Sequence, residues 1–283
     1  MARRKRRSRG RARRGAGTGA TVLGLTLLGV VAAILAGFLG AGWWLGRSAA
    51  EIDKGTFCPK DGPISVTAVL IDATDPLNEG PREAVRIALD EVRDRVPTRG
   101  ALEVYALDAT ASPSSSGLLR PLVGLCNPGR GGEINPLYGN PDMVERRWRD
   151  GFDGPLRRAL DELTRPRGEA SASPIMEAVQ SVAVTAFRGR GRESVPLRLV
   201  VVSDMLQHTE GFSHYRGRPD FAAFRNGPYY RKVRADLRGA EVELFYLRRD
   251  TRKGLQDAAH VQFWREFFTD QGGVFARFLP IEG

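Results

Sequence analysis

An uncharged stretch from Gly15 to Gly46, lying directly behind nine basic side chains, most constrains how this chain can fold. The basic cluster is Arg3, Arg4, Lys5, Arg6, Arg7, Arg9, Arg11, Arg13 and Arg14. The apolar heart of the stretch runs from Thr21 to Leu45, longer than the about 20 residues a bilayer crossing needs. Trp43 and Trp44 sit at its far end, where amphipathic rings favour the lipid–water boundary. Cations on the other flank stay cytoplasmic by the positive-inside rule. The expectation is a basic cytoplasmic tail (1–20), a transmembrane helix (21–46) embedded in the lipid bilayer, a polar spacer (47–62) and an extracytoplasmic domain (63–283). The competing reading is a cleaved secretory signal, because Ser48-Ala49-Ala50 offers small residues. A signal's apolar region is usually about 7–15 residues, shorter than this one, so a retained anchor is the expected form.

The same tail explains the charge. The chain carries 43 Lys plus Arg against 33 Asp plus Glu, a formal +10. With the nine N-terminal cations set aside, residues 47–283 hold 34 basic and 33 acidic side chains. A nearly balanced body is not built to neutralise phosphates, so no nucleic acid is expected to bind the folded domain.

Beyond the spacer, strand-like and helix-like runs alternate. Ile64–Ile71 is β-rich and stops at Asp72; Val85, Leu89, Val92 and Val96 recur at helical spacing before Pro97; Leu102–Leu107 is a second strand. A loop rich in Gly, Pro and Ser is expected over 108–140. A helical stretch follows over 141–163, interrupted near Gly151 or Pro155. Ile175, Met176, Val179 and Val182 mark a buried helix, and Leu197–Ser203 is the strongest strand. A second long loop is expected over 204–227, then helix 228–238, strand 241–247, helix 255–270 and strand 274–279. This alternation implies an α/β fold with a doubly wound, mainly parallel sheet and helices on both faces. Sites in such sheets lie beyond the carboxyl ends of the strands, which singles out the two strands that run into Asp72 and Asp204.

Those residues carry a resemblance. The strand ending in Asp72-Ala73-Thr74-Asp75-Pro76 resembles the start of a von Willebrand factor A domain, whose first strand ends in Asp-x-Ser-x-Ser. Ser173-Pro174-Ile175-Met176-Glu177-Ala178-Val179 is similar to the segment that brings a Thr hydroxyl to that family's metal-ion-dependent adhesion site. Val200-Val201-Val202-Ser203-Asp204 is similar to the strand that ends in its last site Asp. The resemblance implies a Mg²⁺ site built from Asp72, Thr74, Ser173 and Asp204, with open positions for an acidic side chain of a protein partner at the membrane surface. Mg²⁺ is a hard ion that takes six oxygens and few carboxylates, which suits such a set. Two positions depart from the pattern: Pro76 replaces the second hydroxyl, and Met205 the glycine that usually follows the last Asp. A metal-free scaffold for a membrane or secretion assembly is therefore the second reading.

Enzymatic readings are weaker. Ser203, Asp204 and His208 lie close in sequence, but Ser203 lacks the Gly-x-Ser-x-Gly context of a nucleophile elbow. His208 and His214 are expected in a solvated loop and His260 on a helix surface. No catalytic residue and no small-molecule ligand are assigned. Cys58 and Cys126 form a disulfide if the domain lies outside the cytoplasm, or remain separate thiols. The loop Phe212–Phe221 mixes aromatics with arginines, residue types enriched at binding hot spots.

Overall fold

The computed structural model describes residues 18–47, 51–74, 78–107, 118–137, 139–163, 170–189 and 191–282. The chain divides into two units, Met1–Ala50 and Glu51–Gly283.

The first unit contains one helix, α1 (Thr18–Arg47), slightly wider than the expected 21–46. At about 1.5 Å per residue its 30 residues extend about 45 Å. Its placed side chains, residues 26–40, are exposed, including Leu28, Phe38 and Leu39. That portion alone is shorter than a bilayer crossing needs; among the described residues, no helix is long and apolar enough to cross a membrane.

The second unit is an α/β sandwich. Its strands are β1 (Val66–Asp72), β2 (Ala101–Leu107), β3 (Leu119–Cys126), β4 (Leu197–Ser203), β5 (Glu241–Arg248) and β6 (Val274–Glu282). They form one sheet in the order β3-β2-β1-β4-β5-β6. All neighbours run parallel except β3, which pairs antiparallel to β2 at the edge. The order reverses between β1 and β4, whose carboxyl ends therefore bound a crevice.

Alternation along the strands builds two cores. On one face Val66, Ala68, Leu70, Leu199, Val201, Val242 and Leu244 pack with α5 (Ile175–Thr185), α7 (Pro228–Val233) and α8 (Ala258–Asp270). On the other, Val69, Ile71, Val104, Val200, Val202 and Phe245 pack with α2 (Glu79–Asp94) and α4 (Gly154–Leu163). Burial on both sides explains why β1 and β4 are unbroken apolar runs. Trp264 is fully enclosed beside Phe267 and Phe268.

Several expectations need correcting. The expected loop 108–140 contains β3, hidden from periodicity because Pro121 and Gly124 interrupt it; an edge strand tolerates both. Residues 108–117 of that loop lie outside the described residues. The expected break within 141–163 is a π-helical turn, Arg149–Asp153, which joins α3 (Pro141–Trp148) to α4. There Gly151 lies against the ring of Phe57, which a Cβ would meet at 2.6 Å. The loop after β4 contains a short helix, α6 (Phe221–Asn226), and α7 ends at Val233 rather than 238. Residues 51–62, expected as spacer, belong to the folded unit. Cys58 and Cys126 are bridged with a Cα–Cα distance of 4.8 Å, and the Cys126 amide donates to the Thr56 carbonyl at 2.8 Å.

Candidate functional site

The register between β1 and β4 pairs Ile71 with Val202, so the next residues, Asp72 and Ser203, emerge side by side. The Ser203 hydroxyl donates to Asp72 Oδ2 at 2.8 Å. Thr74, on the turn after β1, donates to Asp72 Oδ1 through its hydroxyl at 2.6 Å and its amide at 3.0 Å. Ser173, just before α5, reaches Asp72 Oδ2 at 3.3 Å, and the Thr74 and Ser173 hydroxyl oxygens are 3.5 Å apart. Three of the four expected residues therefore meet at the switch point between β1 and β4. Asp75 and Pro76 lie outside the described residues.

Asp204 is turned to other work. Its Oδ1 accepts the Leu206 amide at 2.9 Å, and its Oδ2 faces the Arg249 guanidinium at 3.3 Å. The Gln256 amide holds this corner together, donating to the Asp204 and Leu247 carbonyls and accepting from the Arg249 amide. Directly after Asp204, Met205 adopts φ 61°, the left-handed conformation that favours glycine. The Ser203 hydroxyl accepts the Met205 amide at 2.8 Å, and Trp264 Nε1 donates to its carbonyl at 2.9 Å. Fixed from both sides, a fully buried methionine occupies a backbone shape suited to glycine.

As arranged, these side chains do not fit a Mg²⁺ site. Such a hard ion needs oxygens with charge to give. Four donors occupy the Asp72 oxygens, and the charge of Asp204 is balanced by Arg249. Among the described residues no group of three His, Cys, Asp or Glu is placed to hold a metal.

The imagined Ser203–Asp204–His208 arrangement is likewise not assembled. The Ser203 hydroxyl is committed to Asp72 and Met205, while His208 Nδ1 bonds Ser213 Oγ at 2.9 Å. The backbone of His208 bridges to Ser173 at 2.8 and 3.0 Å, tying the loop after β4 to the start of α5.

Two histidine expectations are overturned. His260 is fully buried rather than at the helix surface, with Nδ1 2.7 Å from the Tyr246 hydroxyl and Nε2 3.1 Å from the Met205 carbonyl. His214 is 2% exposed, its ring centred 4.6 Å from that of His260 and flanked by Phe212, Phe263 and Trp264. Burial pushes His214 down to about 3, with the nearby His260 adding to the effect; the Met205 carbonyl is close enough to oppose this slightly without making a hydrogen bond. Burial likewise lowers His260 to about 4. The loop's polar composition concealed this, because its aromatic residues fold inward around the imidazoles.

Sequence reasoning missed the structural roles of Ser203, Arg249 and Gln256. The available signal was positional: Ser203 directly precedes the strand-end acid Asp204, and Arg249 follows the adjacent strand β5. Ser203→Ala leaves Asp72 short of one donor and the Met205 amide short of its acceptor. The expected cost is about 1–2 kcal/mol, read as a lower denaturation midpoint with an unchanged denaturant slope; an unchanged midpoint would show that Ser203 does not hold the turn.

Comparison with known proteins finds distant structural likenesses. A conserved hypothetical protein BatB from Bacteroides thetaiotaomicron is 10% identical, covering 78% of this chain and 91% of that one, with a TM-score of 0.38. An aerotolerance-related membrane protein from Bacteroides fragilis, solved with multiple mutations to serines, is 9% identical, covering 77% and 91%, with a TM-score of 0.37. No family model matches the chain. No curated protein matches it.

Proposed function

We propose that this chain is a membrane-anchored, extracytoplasmic protein-binding module whose strand-end rim works without a metal ion. The observation that carries the metal-free reading is the pairing of Asp204 with Arg249 while four donors surround Asp72. An ion entering here would have to displace a guanidinium and compete with bonds already made, a desolvation cost with little charge in return. The rim then serves as a rigid platform, and the loops around it supply the contact surface.

Anchoring rests on the sequence, whose uncharged stretch from Gly15 to Gly46 extends beyond the placed side chains 26–40 on both sides. Its basic flank argues for a cytoplasmic N-terminus. The Cys58–Cys126 bridge supports an oxidising compartment for the rest. A protease added to intact cells is expected to digest an epitope fused after Gly283; protection of that epitope in intact cells, with cleavage after lysis, would reverse the orientation.

A Mg²⁺-dependent rim is the second reading; it requires the three hydroxyls gathered on Asp72 to turn to the ion and Asp204 to leave Arg249. Thermal unfolding in Mg²⁺, in Mn²⁺ and in chelator separates the two. Equal melting temperatures are expected for the unaltered chain and for Asp204→Ala. Stabilisation by either ion that disappears in Asp72→Ala would establish the metal site instead.

A further inference from the structure

The loop after β4 and the two short helices that follow it line an open surface cavity of about 430 Å³. Its walls come from Phe212, Arg216, Arg218 and Asp220 of the loop, Ala223 and Phe224 of α6, and Tyr229 at the start of α7; the Asp220 carboxylate accepts the Ala223 amide at 3.1 Å. The aromatic walls are already in place. Phe212 lies 4.8 Å from Phe224 and 6.2 Å from Tyr229, ring centre to ring centre. The Tyr229 hydroxyl is bonded to Glu177, to Thr209 at 2.7 Å and to Gln207 at 3.1 Å. Gly211 lets the loop approach that ring, since a Cβ there would stand 2.4 Å from it. A preformed apolar hollow costs little ordering on binding.

The segment that builds the hollow is strongly positive. Residues 205–234 hold six basic side chains (Arg216, Arg218, Arg225, Arg231, Lys232, Arg234) and two acidic ones (Glu210, Asp220). Among the described residues, this segment's basic groups pair as Arg218–Asp257 and Arg225–Asp270. Arg216, Arg231, Lys232 and Arg234 then stand against Glu210 and Asp220, a net charge of +2. Arg216, at the cavity wall, donates to the Glu210 carbonyl at 2.9 Å and so keeps its full charge.

We propose that this cavity receives a large apolar side chain from an acidic peptide segment of a protein partner. The inference rests on the protein-binding function proposed above and names the chemistry of its ligand. The apolar walls take the side chain, and the surrounding arginines attract flanking carboxylates, steering the encounter and excluding basic competitors. A concave wall favours a peptide over an anionic bilayer, because insertion into lipid needs apolar groups that protrude.

The test uses the full chain in zwitterionic nanodiscs and a displayed random-peptide library. Recovered peptides are expected to place Asp or Glu beside a large apolar residue. Ala223→Trp, which fills the hollow from an exposed helix position, should weaken a recovered peptide about tenfold or more. Arg216→Glu should weaken it by a similar factor, and the loss should grow as salt is lowered. Failure to recover binders, binders lacking acidic enrichment, or binders indifferent to both substitutions would each overturn the proposal. Added vesicles of phosphatidylglycerol binding better than phosphatidylcholine, unchanged by Ala223→Trp, would assign the surface to lipid and also overturn it. Neither substitution touches the Asp72 cluster, so the comparison of melting in Mg²⁺ and chelator reads the metal-free rim separately.

Discussion

Acidification from pH 7 to pH 4 is expected to remove on the order of 3 kcal/mol of stability through each of two imidazoles, His214 and His260. Both are held neutral inside the fold, at about 3 and about 4, against 6.5 for a free side chain. The unfolded chain therefore takes up protons that the folded one refuses. Their contribution is complete above 6.5 and is lost as the pH falls through the folded values. His260 is satisfied as a neutral ring: the Tyr246 hydroxyl donates to Nδ1, and Nε2–H donates to the Met205 carbonyl. His214 has no hydrogen bond on either nitrogen, so a proton there would be a charge among Phe212, Phe263 and Trp264.

The measurement is a denaturant midpoint followed across pH in the unaltered chain and in His214→Phe. Carboxylates such as Asp257, held low by Arg218, also cost stability on acidification, and the comparison cancels their contribution. His214→Phe should flatten the acid slope by about one proton's worth, about 1.4 kcal/mol per pH unit. Identical slopes would mean that His214 is not buried neutral. Because the Met205 carbonyl joins His260 and Trp264 to the turn carrying Asp204, acid should loosen the rim along with the core.

Loss of the disulfide has the second large effect. Cys58 and Cys126 are 68 residues apart, and opening a loop of that length costs about 4 kcal/mol by chain entropy. The bridge fastens residues 51–62 to β3, an edge strand with much of its surface exposed. Cys58→Ser with Cys126→Ser should lower the melting temperature by about 2–4 °C for each kcal/mol lost. The segment before β1 should also become sensitive to protease well below that temperature, because most of its backbone hydrogen bonds are internal and its outward ties cluster at Thr56, Phe57 and Cys58. Equal stability of the oxidised and reduced unaltered chain would refute this.

Much of the fold was legible because its strongest signals are local. The Val-rich β4, the helical spacing of Val85, Leu89 and Val92, and the acids at the ends of β1 and β4 each follow from burial on a known period. β3 escaped because an exposed edge strand with a proline shows neither alternation nor a continuous apolar run. The bounds of α7 and the existence of α6 escaped because short helices depend on their packing rather than on propensity.

At the rim, the family resemblance implied a metal set of Asp72, Thr74, Ser173 and Asp204. Folding gathers the first three, but the fourth pairs with Arg249, from a part of the chain that no local pattern links to it. The same holds for the imidazoles, whose polar neighbours in sequence are not their neighbours in space.

What the sequence determined by itself is the uncharged N-terminal stretch, the alternating α/β order and the strand ends where side chains converge, since each depends on hydrophobicity and spacing along one segment. Tertiary structure decided which charges are balanced, which hydroxyls are engaged and which histidines are dry. Those outcomes depend on contacts between segments far apart in the chain, where desolvation and partner geometry set the free energy of a polar group.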